Sequence, residues 1–154
     1  MKKVFLAMLI VMSAVAAGAA PANFSGTWKF DSTQSKNVGM MAQAAIDTVI
    51  TQSKFEVVVD DTSTFNGQKD TQHTVYDLRG KPVANTSMMA GQATTRSHWE
   101  GARLITIWES PGAIAGTTNT RIEIRYLATD GKTMYVESAR PGKEPMIIVY
   151  TKVR

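Results

Sequence analysis

The chain has no cysteine in its 154 residues, so it has neither disulfides nor thiol chemistry and must be held together by packing and hydrogen bonding. Histidine is nearly as scarce. Only His73 and His98 occur, without His-x-His or His-Glu-x-x-His spacing, so no metal or haem site is expected. A Gly-x-Ser-x-Gly elbow is also missing, which removes a common scaffold for a serine nucleophile. The expectation is a non-catalytic protein with no cofactor. The longest strongly apolar run, Val4 to Met12, has about nine residues, against the ~20 that a spanning helix needs. The formal net charge of +4 includes Lys2 and Lys3, and the remainder is too small to suggest nucleic acid as a partner.

The chain begins with those two lysines, the short apolar run, and then small residues from Ser13 to Ala22. That is the order of a secretory signal peptide. Ala17-Gly18-Ala19 and Ala20-Pro21-Ala22 both offer Ala-x-Ala cleavage sites, and the second is preferred because the fold signal starts directly after it. Residues 1–22 are therefore expected to be a cleaved signal peptide. Residues 23–154, 154 − 22 = 132 in number, form one domain that is periplasmic or secreted, without a membrane span, and monomeric.

Turn signals punctuate the chain from Lys54 onward: Asn66-Gly67, Arg79-Gly80, Ala90-Gly91, Gly101, Pro111-Gly112, Asp130-Gly131 and Pro141-Gly142. The runs between them are rich in Val, Ile, Thr, Tyr and Trp, the pattern of an antiparallel sandwich or barrel. Strands are expected at 24–30, 54–60, 71–77, 82–88, 93–100, 103–110, 117–127, 133–140 and 145–153. Between the first two, Val38, Met41, Ala42, Ala45, Ile46 and Val49 recur at three- and four-residue spacing, which predicts an amphipathic helix over 38–50 with Asn37 as its N-cap.

Two hairpins can be taken to register. A two-residue Gly101-Ala102 loop opposes Trp99 to Leu104, Ser97 to Thr106 and Thr95 to Trp108, and this face is the better interior. The other face carries Arg96, His98, Glu109, Ile105 and Ile107. At Asp130-Gly131 a two-residue loop would oppose Ile124 to Glu137. A three-residue Thr129-Asp130-Gly131 loop opposes Ile124 to Val136 and Tyr126 to Met134, turning Ile122, Ile124, Tyr126, Met134 and Val136 inward and Arg121, Glu123 and Arg125 outward. Hydrophobic burial favours the second.

The first strand, Asn23-Phe24-Ser25-Gly26-Thr27-Trp28-Lys29-Phe30, resembles the opening Gly-x-Trp strand of the calycins, that is, the lipocalins and fatty-acid-binding proteins. The sequence of hairpins and the terminal strand ending Tyr150-Thr151-Lys152 are similar to the fatty-acid-binding arrangement over essentially the whole mature chain. The resemblance implies an all-β, up-and-down antiparallel β-barrel of 8–10 strands with one short helix between the first two. It implies a small hydrophobic or amphipathic ligand as well. Fatty-acid-binding proteins commonly hold a ligand carboxylate with Arg-x-Tyr on the last strand. Tyr150 matches the tyrosine, but Ile148 stands where the arginine would be. Candidate ligand-binding residues are Trp99, Trp108, Tyr126 and Tyr150, whose buried polar ends need partners that a head group could supply. Met40, Met41, Met88 and Met89 would suit a variable apolar ligand. The alternative is a filled barrel acting as a protein-interaction or inhibitor module of the cell envelope, motivated by the outward Ile105 and Ile107. Asn85-Thr86-Ser87 matches the glycosylation pattern, and is set aside because the signal peptide looks bacterial.

Overall fold

The computed structural model describes residues 18–87 and 91–153. Most of the expected signal peptide, with Met88 and Met89, lies outside them. Ten strands form a single sheet: β1 (Gly26–Phe30), β2 (Ala45–Gln52), β3 (Glu56–Phe65), β4 (Gln68–Asp77), β5 (Val83–Ser87), β6 (Gly91–Glu100), β7 (Arg103–Pro111), β8 (Thr118–Leu127), β9 (Thr133–Ala139) and β10 (Met146–Lys152). Their order is β4-β3-β2-β1-β10-β9-β8-β7-β6-β5, every pairing is antiparallel, and β1 beside β10 joins the two ends of the chain. The sheet curls into a nearly closed barrel.

The remaining seam lies between β4 and β5, where the Asn85 side chain replaces a strand ladder. Its Oδ1 accepts from the Val75 amide at 3.0 Å, and its Nδ2 donates to the Val75 carbonyl at 2.8 Å and to Thr95 Oγ1 at 2.8 Å. The side chain satisfies both main-chain groups of one residue, as a neighbouring strand would. Only 6% of Asn85 is exposed, so its glycosylation pattern is sealed inside the fold.

The helix expected over 38–50 is not formed. A 3₁₀ turn occupies Gly39–Gln43, and the next residues are β2. Ile46, Thr48 and Ile50 are buried at period two, and the run Ile46 to Thr51 is mostly β-branched, which favours a pleated surface over a helix. Asn37 is not an N-cap. It takes a left-handed φ of 57° and donates from Nδ2 to the Pro145 carbonyl. Its left-handed backbone, with Gly39 at φ 56°, breaks the chain ahead of the turn.

The Gly101 hairpin has the expected register, with Trp99 opposite Leu104 and Thr95 opposite Trp108. The Asp130 hairpin does not. Ile124 faces Glu137 and Tyr126 faces Tyr135, so Glu123 and Arg125 turn inward and Ile122, Ile124 and Tyr126 outward. The Asp130 carboxylate accepts from the amides of Lys132 and Thr133, and Gly131 at φ 65° donates to the Ala128 carbonyl. This longer loop keeps the register that burial of isoleucine had argued against.

The hydrophobic core gathers at one end of the barrel. Trp28 and Phe24 are fully buried there; the Trp28 indole donates to the Phe24 carbonyl at 2.8 Å, and the Phe24 ring stacks on Trp99 at 5.8 Å. Val57, Leu104 and Met134 complete this plug.

Candidate functional site

Above the plug the barrel is hollow. A cavity of about 550 Å³ runs from the 3₁₀ turn at its mouth down to Arg125. One wall is apolar: Met40 and Met41 from the turn, Ile46 from β2, Val136 from β9, and Met146 and Ile148 from β10. The opposite wall is polar, carrying Asp61, Thr74, Tyr76, Glu123 and Arg125.

The polar wall is a connected network. Glu123 Oε1 accepts from the Tyr76 hydroxyl at 3.0 Å and lies 3.3 Å from Arg125 Nη2; its Oε2 accepts from the Trp108 indole at 3.1 Å. Both members of the ion pair are buried, with 6% of the Arg125 side chain and 8% of that of Glu123 exposed. Arg125 Nη1 also reaches Met134 Sδ at 3.6 Å, while its Nε is buried with no partner. Buried charges persist only when paired and hydrogen-bonded, and here the carboxylate is more completely served than the guanidinium. On the same wall Asp61 accepts from the Thr48 hydroxyl. Burial pushes the Asp61 carboxyl above its ordinary value, opposed by the Thr48 hydrogen bond and by Arg125. Burial likewise drives the Tyr76 and Tyr150 phenols upward, so both stay protonated donors.

Of the four expected ligand-binding residues, the structure brings two to this cavity. Trp108 and Tyr150 line it. Trp99 lies deeper, in the plug against Phe24. Tyr126 is on the outside, stacked on Tyr135 at 5.2 Å with its hydroxyl donating to Glu137 at 2.6 Å; burial and that bond push its phenol up to about 12. The expectation of an inward Tyr126 fails with the Asp130 register. So does the expectation that Arg121 and Arg125 face solvent, since both line the cavity. The indole of Trp108 and the hydroxyl of Tyr76 already have protein acceptors, so they do not wait for a ligand.

Sequence reasoning missed Asp61, Tyr76 and Glu123, and it turned Arg125 outward through the wrong register. A signal was present on β8, where Arg121, Glu123 and Arg125 occupy one face with alternating charge. That pattern suits an internally paired interior as well as a solvated exterior. His73 and His98 lie outside the site, paired with Asp60 at 2.6 Å and Glu100 at 3.1 Å on exposed surface. The outward Ile105 is only 8% exposed and sits beside Ile124, whereas Ile107 sits beside Ile122, which is 44% exposed. Among the described residues no helix is long and apolar enough to cross a membrane.

No protein-family model matches the chain, and no curated protein does. Solved structures do. Echinococcus granulosus fatty-acid-binding protein 1 superposes with a TM-score of 0.66 at 14% identity, over 85% of this chain and 98% of that one. Caenorhabditis elegans lipid binding protein 8, in its apo form, gives 0.67 at 13% identity over 88% and 99%. Human cRBP IV gives 0.64 at 16% identity over 86% and 100%. With ten antiparallel strands in a nearly closed barrel, the chain therefore has the calycin fold in the form found in fatty-acid-binding proteins.

Proposed function

We propose that this chain is a non-catalytic carrier that binds one small hydrophobic or amphipathic molecule inside the barrel. The supporting observation is the cavity of about 550 Å³ in the open half, where a filled barrel would have side chains. Small-molecule sites typically occupy ~300–1,000 Å³ and combine apolar walls with a few fixed polar groups. Met40, Met41, Ile46 and Ile148 provide the apolar surface, and the Tyr76–Glu123–Arg125 network provides the fixed polar groups. Fixed geometry of this kind favours binding because little must be ordered when the ligand arrives. Structural neighbours named as fatty-acid-binding and lipid-binding proteins support the same reading.

The lysine-led apolar start and its Ala-x-Ala sites support export of this carrier, with cleavage after residue 22. Intact-mass measurement of the product made in its own host checks the cleavage: loss of residues 1–22 is expected, and a full-length soluble product would refute export. Native mass spectrometry of the same material, followed by solvent extraction, tests the carrier. A reproducible bound small molecule that is lost on Trp108→Ala is the expected result. A clean apo mass that also ignores a panel of lipids and metabolites would overturn the reading in favour of an interaction module.

A further inference from the structure

A second cavity of about 480 Å³ opens at the mouth, sharing Ser87, Trp108 and Arg121 with the main one. Its charged lining is entirely cationic: Arg121 from β8, and Arg140 and Lys143 from the loop between β9 and β10. Among the described residues none of these three has a carboxylate within ion-pair distance. Arg121 is nonetheless held in place, its guanidinium 4.5 Å from the centroid of the Trp108 ring. Ser110, Thr118 and Thr120 add hydroxyls to the same lining.

The deep end has the opposite balance. Arg125 is committed to Glu123, and Asp61 adds a second carboxylate to that wall. A ligand anion placed there would be the third negative group around one buried guanidinium, in surroundings where like charges are poorly screened. At the mouth, an anion would meet three cations that still have charge to satisfy.

We propose that the bound molecule is an anionic single-chain amphiphile held head-out, its carboxylate or phosphate in the basic vestibule of Arg121, Arg140 and Lys143 and its apolar tail running down toward Arg125. This rests on the carrier reading and fixes the ligand's charge and direction. Tail-first seating keeps the apolar wall of the main cavity in contact with hydrocarbon. It leaves the Glu123–Arg125 pair undisturbed.

The test is calorimetric titration of the mature protein with dodecanoate and with dodecanol, alongside Arg140→Glu/Lys143→Glu, whose two positions are solvent-exposed. Dodecanoate should bind about tenfold or more tightly than dodecanol to the unaltered protein at low salt, a difference of about 1.4 kcal/mol. The double variant should lose that advantage while its dodecanol affinity is unchanged, and added salt should weaken only dodecanoate. A crystal grown with 12-bromododecanoate should place the bromine near Met134, at the deep end. Equal affinities, indifference of dodecanoate to the charge reversal, or bromine at the mouth would each overturn head-out binding while leaving the carrier intact. Failure of the folded protein to bind either amphiphile would overturn both.

Discussion

Replacing Arg125 by methionine tests whether the interior ion pair is truly desolvated. Glu123 and Arg125 are neighbours on one face of β8, 3.3 Å apart and almost fully buried. Removing one member of such a pair typically costs about 3–5 kcal/mol because a charge is left buried without its counter-ion. Glu123 would retain the Tyr76 hydroxyl and the Trp108 indole as donors. Hydrogen bonds to a charged group are worth about 1.5–3 kcal/mol each, so the loss should fall near the lower bound, about 3 kcal/mol. With urea slopes of about 1–3 kcal/mol per molar, the unfolding midpoint should drop by roughly 1–3 M. Glu123→Leu/Arg125→Met removes both charges and should recover most or all of that loss, since apolar replacement of a buried pair is often neutral or stabilising by about 1–4 kcal/mol. Urea titration followed by tryptophan fluorescence reads all three proteins. A midpoint in Arg125→Met within about 0.3 M of the parent would refute the reasoning, because it would mean that cavity water, rather than Arg125, stabilises the Glu123 charge.

Asn85→Ala should destabilise the barrel by about 2–4 kcal/mol, since it leaves both main-chain groups of Val75 without their partner; the Val75 amide should lose its hydrogen-exchange protection, and unchanged protection would refute the seam. Asp61→Asn should stabilise the protein more at pH 7 than at pH 3. The folded carboxyl titrates above its ordinary value, so its contribution is present below that value and is lost as pH rises through the folded one. Equal melting-temperature gains at the two pH values would show that Asp61 is not desolvated. Tyr126→Phe should cost about 1 kcal/mol through loss of the Glu137 bond and leave ligand affinity untouched, because the ring is on the outer face; a tenfold loss of affinity would place it at the site after all.

The parts of the fold that were legible in the sequence are those where local chemistry and burial agree. Asn66 and Gly67, both at positive φ, make the two-residue turn between β3 and β4 that the Asn-Gly pair announces. In β6 and β7 the small and aromatic residues that fit the interior lie opposite one another, so one register buries them all. The helical expectation over β2 rests on the three- and four-residue spacing of Val38, Met41, Ala42, Ala45, Ile46 and Val49, a pattern that leaves Thr48 out. In this barrel Thr48 is 1% exposed and serves Asp61, and with it the period-two signal Ile46–Thr48–Ile50 becomes plain. β8 was misread for a different reason. Hydrophobic patterning assigns isoleucine to the inside and charge to the outside, which holds only when the inside is a dry core.

The misreading of β8 bears on function. Alternation is obeyed in the plug, where Trp28, Phe24, Val57 and Leu104 are fully or almost fully buried and stability comes from excluded water. It is inverted on β8, where Glu123 and Arg125 face a cavity and Ile124 faces out. Folding alone does not favour that inversion: the other register would bury three large side chains and spare two charges the loss of water. A sequence that departs from its own folding rules at one wall of one cavity marks that wall as selected for something other than stability. Fixed donors and acceptors beside hydrocarbon can orient a bound molecule, whereas a seamless apolar lining could only retain it. β8 thus carries two different charge environments along one cavity face: Arg121 at the mouth without a carboxylate within ion-pair distance among the described residues, and Glu123 paired with Arg125 at depth.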